Sequence, residues 1–300
     1  MRIILLLQTF INNLVLSFLS IIKIVILSKW RGNRLNLTNT KKDCVIMGNG
    51  PSLNRSIEEY NEFLIDKDLL CVNFFPNTDF YKELKPRYYV NIPRSVWRKS
   101  AKEKNKVNNQ NLYKKIAKNT DWELKLYIPT EARKHQEWKQ GVDKNEKIEI
   151  KYINITPIEG PQNFCNFLFR KNLGMPRPHN VLIPSIMTAI GIGYKRIYLL
   201  GADHSWLHQI TVDNENNVLF NQKHFYDEND SVAEKVSDYY KGSKKKPLYL
   251  LLMKFVYAFK GYFIINRYAE SMGVEIINLT PNSFIDAFKK EDLNTYKNVK

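Results

Sequence analysis

The sequence contains little cysteine, with three residues in a chain of 300. Cys44, Cys71 and Cys165 are odd in number and far apart, and each lies in an apolar or aromatic stretch. This arrangement suits neither a disulfide framework nor a metal site. It is typical of small, buried core residues. We therefore predict free cysteines in a reducing compartment.

Nucleic-acid-binding motifs are also absent. The sequence has no RNA-binding signature, no zinc-finger spacing and no helix-turn-helix pattern. Basic residues outnumber acidic ones, 46 to 30, which gives a formal net charge of +16. Such a surplus favours anionic partners, among them anionic lipids, phosphorylated small molecules and nucleic acids. Because the motifs are absent, we predict that nucleic acid is not a partner.

Charge is absent from residues 3–22, "IILLLQTFINNLVLSFLSII". This run is long enough to cross a bilayer as a helix. Its amides Gln8, Asn12 and Asn13 are also compatible with a helix that lies in the membrane interface. A buried N-terminal helix is a third interpretation. A cleaved signal peptide fits less well, because no small-residue cleavage site follows the run.

Positive side chains follow the uncharged run closely, at Lys23, Lys29, Arg31 and Arg34. Flanks of this kind stay on the cytoplasmic side of a membrane. We therefore predict that residues 1–30 form a membrane-associated hydrophobic helix at the cytoplasmic face of the inner membrane. The polar residues 31–42 are predicted to be a linker, and residues 43–300 a globular domain.

The rest of the chain alternates short apolar runs with helical patterns. The predicted strands lie in "DCVIMGNGPSL", where the strand runs into a turn, and in "LLCVNFF", "PRYYVNIP", "LKLYIP", "KIEIKYINI", "IYLLG" and "VEIINLTPNSF". Such an alternation predicts an α/β fold with a Rossmann-like, open and mostly parallel sheet. Residues 99–118 are predicted to be a solvated helix or a surface excursion. Residues from about 211 to 260 are predicted to form a lid-like, irregular and helical region.

The run "VIMGNGPSLN", residues 45–54, ends a predicted strand in a glycine-rich turn. Such a turn, followed by a helix, can direct backbone N–H groups at an anion, with the Ser52 hydroxyl as a further donor. It can equally be a simple strand-to-helix turn in which Ser52 caps the helix. Neither a P-loop nor the full dinucleotide fingerprint is present. The candidate binding residues are Gly48, Asn49, Gly50 and Ser52.

Polar residues follow other predicted strands as well. Asn73 and Asn91 end two apolar runs, and Gly201 and Asp203 follow "IYLL". In open α/β sheets the binding crevice lies at the carboxyl ends of the strands. Amide side chains both donate and accept hydrogen bonds, which suits ribose, base edges and sugar hydroxyls. We therefore predict that Asn73 and Asn91 share one ligand site with Asn49, and that Asp203 lies at the same edge of the sheet.

Five blocks of the sequence resemble, in the same order, the bacterial lipooligosaccharide sialyltransferases of glycosyltransferase family 42. They are "VIMGNGPSL", "VNFF", "YVNIP", "AIGIGYKRIYLLGAD" and "NLTPNS". The opening block also resembles uncharacterised bacterial Rossmann-like proteins, some relatives of which are archaeal pterin pyrophosphokinases. The family resemblance implies a GT-A-like variant of the fold. It also implies transfer of sialic acid, or a related nonulosonic acid, from a CMP-sugar to a cell-surface glycan, without metal or cofactor.

The resemblance implies roles for individual residues. Asn49 and Ser52 match family residues that contact the phosphate and nucleotide of the donor, CMP-sialic acid. Asn73 and Asn91 match asparagines that contact the donor. The "GAD" stretch matches the segment beside the nucleotide.

The sequence departs from the family in two places. Ahead of the apolar helix, where the family has an arginine and a serine, "RPHNVLIPS" offers Asn180 and Ser185 out of register. After "GAD", where the family has two tyrosines that contact the phosphate, this chain has His204 and Ser205. Tyr226 is the candidate replacement for one of those tyrosines.

A general base for this reaction is expected to be a histidine with a pKa close to the operating pH. His224 lies in the region where the family has its base, and His204 lies just beyond a predicted strand. The acidic residues Asp227, Glu228 and Asp230 could form a metal site or a solvated turn. No apolar strand leads into them, so we predict the turn and no metal.

The leading prediction is thus a metal-independent glycosyltransferase with a nucleotide-sugar donor and a glycan or lipid-linked glycan acceptor. A homo-oligomer is possible, since the family often forms tetramers. One alternative is a pyrophosphokinase-like or other nucleotide-dependent transferase on the same fold. The other is a non-catalytic glycan-assembly membrane protein with a degenerate site. A requirement for metal and a preference for ATP would indicate the first alternative.

Overall fold

The short apolar runs of the sequence pair into an open sheet. The computed structural model describes residues 2–30, 42–98, 106–221, 224–225, 234–236 and 247–296. The strands of the large sheet are β1 (Cys44–Met47), β2 (Asp68–Val72), β3 (Tyr88–Val90), β4 (Leu124–Pro129), β5 (Ile148–Ile153), β6 (Arg196–Leu200), β10 (Glu275–Asn278) and β11 (Lys289–Lys290). A second, small sheet contains β7 (Ile210–Val212), β8 (Val218–Phe220) and β9 (Glu234–Lys235).

The large sheet has the strand order β11-β10-β6-β1-β2-β3-β4-β5. Every pairing described in it is parallel. From β1 the chain builds outward to β5 and then returns to β6, on the other side of β1. The order of the strands therefore reverses between β1 and β6, and such a reversal opens a crevice at their carboxyl ends. The predicted Rossmann-like, open and mostly parallel α/β fold is confirmed.

Helices cover both faces of this sheet. They are α1 (Arg2–Leu27), α2 (Leu53–Glu59), α3 (Asn61–Ile65), α4 (Phe80–Leu84), α5 (Arg94–Trp97), α6 (Lys106–Asn119), α7 (Gln162–Arg170), α8 (Leu182–Ile192) and α9 (Leu248–Ser271). Along β1, Cys44 and Ile46 belong to one apolar cluster, with α7, α8 and α9. Val45 and Met47 belong to the other, with α2, α3 and α6. Because β1 is covered on both faces, its sequence is a continuous apolar run.

The stretch around α6 is more buried than its composition predicts. Residues 106–119 form a helix, but Leu112, Tyr113 and Ile116 are buried in the core. These three positions lie on one face of a helix, and the Lys and Asn residues around them occupy the others. The stretch is therefore an amphipathic core helix and not a solvated one. Residues 99–105, and most of the predicted linker at 31–42, lie outside the described residues.

The N-terminal helix predicted from the uncharged run is present as α1. Its apolar side chains between residues 4 and 19 are largely exposed. Its final turns are fixed to the domain, where Ser20 Oγ donates to Glu159 O at 2.8 Å and Ser28 Oγ donates to Leu173 O at 2.6 Å. Among the described helices, α1 and α9 are long and apolar enough to cross a membrane. Membrane association of residues 1–30 stays a prediction.

The predicted lid-like region contains the small antiparallel sheet and the first half of α9. Val218, Val236, Leu251 and Phe255 form a small apolar cluster of their own. Trp206, in the loop after β6, packs on Phe255 with a ring distance of 5.0 Å. The described part of this region is thus an ordered unit attached beside the end of β6.

A buried carboxylate joins three strands at the opposite, amino edge of the sheet. Asp68 begins β2 and is 6% exposed. It accepts hydrogen bonds from Tyr194 Oη at 2.5 Å and from the Arg87 guanidinium at 3.2 Å. Tyr194 lies two residues before β6 and is fully buried. Because β2 and β6 both flank β1, these bonds hold the centre of the sheet together.

Replacing Tyr194 with Phe should therefore destabilise the protein. The change leaves the buried Asp68 carboxylate with one donor fewer, which should lower the free energy of unfolding by about 1–3 kcal/mol. Urea unfolding of the full chain in detergent measures this loss. Tyr249→Phe, at an exposed phenol, is the matched control and should change it by about 0.5 kcal/mol or less. Equal losses in both variants would contradict the proposed role of the Tyr194–Asp68 bond.

Candidate functional site

The candidate site begins where β1 and β6 end side by side. Gly48 N–H donates to Leu200 O at 2.8 Å, and Gly50 N–H donates to Gly201 O at 2.8 Å. A Cβ on Gly48 would lie 2.4 Å from Gly201 O, and a Cβ on Gly50 would lie 1.9 Å from Asp203 Oδ2. Gly201 itself has a left-handed φ of 61°. The glycines are therefore required by the close approach of the two loops.

Asp203 joins the loop after β6 to the start of α2. Its carboxylate accepts the Ser52 N–H at 3.2 Å and the Ser52 hydroxyl at 2.9 Å. Burial raises the pKa of Asp203, and the hydrogen bonds from Ser52 oppose this rise. The N–H groups of Gly48, Gly50 and Ser52 are thus all engaged within the protein. These bonds match a strand-to-helix turn, with Ser52 bound to Asp203 instead of capping α2 through its side chain.

Two amide side chains at neighbouring strand ends have unused acceptors. Asn49 lies in the loop after β1, and Asn73 directly follows β2. The Oδ1 atoms of both are buried and have no hydrogen-bond partner among the described residues. Asn73 also has a left-handed φ of 46°, and its carbonyl accepts the Tyr89 hydroxyl at 2.6 Å. A buried acceptor without a donor costs about 1–3 kcal/mol, so a ligand that brings donors removes this cost.

Asn91, at the third strand end, points into the core. It is fully buried. Its Nδ2 donates to Tyr89 Oη, and its Oδ1 accepts the Tyr113 hydroxyl at 3.4 Å. Tyr89 in turn holds the Asn73 carbonyl. The structure therefore places Asn49 and Asn73 at two neighbouring strand ends, while Asn91 is linked to the Asn73 carbonyl through Tyr89.

The lid-like region reaches the loop after β1 at Phe225. Phe225 N–H donates to Asn49 O at 3.2 Å, and Asn54 Nδ2 donates to Phe225 O at 2.8 Å. The Phe225 ring lies 5.6 Å from the ring of Phe75, which follows β2. The backbone at His224 therefore lies next to the carboxyl ends of β1 and β2.

The other residues predicted in this segment, Tyr226 and the acidic positions 227, 228 and 230, lie outside the described residues. Their predicted roles stay predictions. Within the described part of the chain, no group of three or more His, Cys, Asp or Glu side chains is arranged to hold a metal ion.

His204, the second candidate base, is held in a polar network beside the end of β6. Its Nε2 lies 2.5 Å from Tyr262 Oη, and Asn180 Nδ2 donates to the same hydroxyl at 2.8 Å. The Trp206 ring lies 4.1 Å from the imidazole. Burial lowers the pKa of His204 to about 3. A base with this pKa is neutral but weak near pH 7, which does not suit proton abstraction.

Asn180 and Ser185 occupy different environments. Asn180 Oδ1 accepts the N–H groups of Leu182 at 3.0 Å and Ile183 at 3.3 Å, so it caps the start of α8. Through its Nδ2 it also contacts the network around His204. Ser185 is fully buried within α8, and its hydroxyl donates to Val181 O at 2.8 Å. The structure therefore brings Asn180, but not Ser185, to the edge of the crevice.

A cleft of about 930 Å³ opens between the start of α2 and the segment after β10. Its wall includes Ser52, Asp203 and Ser205 from the predicted site, together with Arg55 and Lys290. Sequence reasoning missed this cleft, because α2 and the segment after β10 lie far apart in the chain. It also missed Tyr262, which lies inside an apolar helical pattern and gives no local signal of a polar contact.

The fold defines a class, a Rossmann-like α/β protein with a crevice at the reversal of strand order. No family model matches the chain, and no curated protein matches it. Among solved structures, the chain is similar to the MAf glycosyltransferase from Magnetospirillum magneticum AMB-1, with a TM-score of 0.46 and 10% identity. The similarity covers 90% of this chain and 37% of that chain. A similarity at this level does not assign an activity to this chain.

The low pKa of His204 predicts a pH-dependent stability. Between pH 6.5 and about pH 3 the unfolded histidine binds a proton that the folded imidazole does not bind. Stability should therefore fall as the pH drops below 6.5, by at most about 1.4 kcal/mol per pH unit from this group. Asparagine tolerates a left-handed φ and does not titrate. The stability of His204→Asn should therefore lack this pH-dependent contribution.

Urea unfolding of the full chain in detergent at pH 7, 6 and 5 measures the effect. The stability difference between wild type and His204→Asn should shrink toward pH 5. His208→Asn, at an exposed ring, is the control and should keep the wild-type dependence on pH. Parallel curves for wild type and His204→Asn would contradict the neutral, buried imidazole.

Proposed function

We propose that the chain is a glycosyltransferase that moves sialic acid, or a related nonulosonic acid, from a CMP-sugar to a cell-surface glycan without a metal ion. The observation that carries this proposal is the pair of buried, unpartnered amide oxygens of Asn49 and Asn73, at the carboxyl ends of β1 and β2. The matching sequence blocks support the choice of donor.

The two oxygens favour a ligand rich in hydrogen-bond donors. An amide oxygen accepts from hydroxyl and amino groups and repels a phosphate oxygen. A CMP-sugar offers ribose hydroxyls, the amino group of cytosine and the hydroxyls of the sugar. We therefore assign Asn49 and Asn73 to these groups of the donor. The N–H groups of Gly48, Gly50 and Ser52 are already engaged, so the departing phosphate needs other partners, for which Tyr226 is the candidate from the sequence.

His224 is the proposed general base. In the reaction the acceptor hydroxyl loses its proton to the imidazole, its oxygen bonds to the anomeric carbon, and the bond from that carbon to the CMP phosphate breaks. The neighbouring Phe225 is hydrogen-bonded to the loop that carries Asn49, which holds His224 close to the donor. His204 is the poorer choice, because its low pKa makes it a weak base.

Nucleotide binding tests the donor. The full chain in detergent should gain thermal stability with CMP, and a chelator should not change this gain. Asn49→Ala and Asn73→Ala should each weaken CMP binding by about tenfold or more, since each loses a hydrogen bond worth about 1.4 kcal/mol. Asn266→Ala, at an exposed amide on α9, is the matched control and should bind CMP like the wild type. Stabilisation only by ATP or UDP with magnesium would exclude the CMP-sugar donor.

The catalytic role of His224 needs a separate measurement. His224→Gln should lower kcat for transfer from CMP-sialic acid by about 10²-fold or more, the usual contribution of a general base. Binding of CMP should remain unchanged. His135→Gln, at a histidine that packs on Trp97 in the segment after β4, should keep wild-type kcat. Full activity in His224→Gln would remove this residue from the mechanism.

A further inference from the structure

We propose that one anionic bilayer surface contacts both α1 and the first half of α9, so that the crevice at the carboxyl edge of the sheet opens toward lipid. The lipid-facing surface consists of residues 4–19 of α1 and an exposed row on α9. The row on α9 contains Tyr249, Leu250, Met253, Val256 and Tyr257.

The direction of α1 is set by its contacts with the chain that follows β5. Lys29 N–H donates to Asn154 Oδ1 at 3.0 Å, directly after the strand ends. Ser20 lies nine residues before Lys29, and its Oγ donates to Glu159 O. Glu159 is five residues past Asn154, and thus further from the end of β5. The helix therefore rises away from the carboxyl edge toward its own N-terminus. Residues 4–19 extend about 24 Å beyond the Ser20 contact.

Helix α9 rises on the same side of the sheet. Tyr262 contacts His204, just after β6, so Tyr262 marks the level of the strand ends. The helix leads from there down to β10, which is parallel to β6. Residues 248–261 therefore project about 21 Å beyond the carboxyl edge.

The two helices are neighbours across the short segment 160–162. A Cβ on Gly160 would lie 2.6 Å from Ser17 Oγ of α1. Two residues later, Gln162 Nε2 donates to Ile264 O of α9 at 3.2 Å. Helices α1 and α9 thus flank the same short segment, on the side of the molecule where the crevice opens.

A bilayer fits this surface better than a protein partner does. The consecutive residues Ile4, Leu5, Leu6 and Leu7 are each between 56% and 69% exposed. Four consecutive residues point in all directions around a helix, so α1 is apolar on every side here. A second protein, or a second copy of this chain, would cover one side only, whereas lipid surrounds the helix.

The composition of the chain favours an anionic membrane surface. The formal net charge is +16. In the sequence, three consecutive lysines at 244–246 lie just ahead of α9, and basic residues next to a membrane segment attract anionic headgroups. Tyr249 and Tyr257 on α9 are of the residue type that is enriched at the membrane–water interface.

The orientation of the crevice toward lipid indicates which acceptor substrate it receives. This step rests on the function proposed above. A crevice that opens toward the bilayer receives an acceptor that is held in the membrane. The favoured acceptor is therefore a glycan attached to a lipid, with its sugar end at the headgroup level.

Fluorescence quenching in vesicles tests the lipid-facing surface. An environment-sensitive dye is attached to Val256→Cys in the full chain, in vesicles of phosphatidylcholine and phosphatidylglycerol. The native cysteines are buried, so the dye reacts at the introduced one. Glu270→Cys, exposed at the other end of α9, is the matched control. We expect doxyl-labelled lipid to quench the dye at 256 and aqueous iodide to quench the dye at 270.

Two results would overturn the proposal. One is iodide quenching at 256 as strong as at 270. The other is protection from iodide at 256 without quenching by doxyl lipid, which indicates a protein on this face. CMP binding by the protein in the same vesicles separates this proposal from the proposed function. Lipid contact without CMP binding removes the proposed function alone, and CMP binding without lipid contact removes the lipid-facing surface alone.

Discussion

The structure depends on the contact between the loops that follow β1 and β6. Two backbone hydrogen bonds join them, from Gly48 to Leu200 and from Gly50 to Gly201, and Asp203 then binds Ser52 at the start of α2. These strands meet where the strand order reverses, so the contact defines the floor of the crevice. It also fixes Asn49, which lies between the bonded residues Gly48 and Gly50. A side chain at Gly48 or Gly50 would force the loops apart and move every group that the crevice presents.

The segment at Phe225 contacts the loop after β1, and helix α9 contacts the loop after β6, through a few hydrogen bonds. Phe225 bonds the backbone of Asn49, which brings the His224 segment over the ends of β1 and β2. On the other side, Tyr262 of α9 bonds His204 after β6. The helix that carries the proposed lipid-facing row is therefore attached to the same strand end as the crevice. The proposed orientation of the crevice toward a bilayer rests on this coupling.

Much of the fold could be predicted from the sequence, because strands covered on both faces, such as β1, are continuous apolar runs. The position of the crevice followed from the parallel strand ends. The direction of single side chains could not be predicted. Asn73 and Asn91 end similar runs, yet Asn91 lies in the core, where it bonds Tyr89 and Tyr113, the latter from a helix later in the chain. The partners of the Gly48 and Gly50 N–H groups also lie far along the chain, in the loop after β6. The resemblance to sialyltransferases suggested roles for these residues but not their hydrogen bonds.

Hydrogen–deuterium exchange of the full chain in detergent, with and without CMP, tests the central claim most directly. If the crevice at the ends of β1, β2 and β6 binds the nucleotide, exchange should slow in peptides that cover residues 45–54, 68–77 and 201–206. Peptides from β4 and β5, at the far edge of the sheet, should be unchanged. Bound CMP that protects only β4 and β5 would contradict the account.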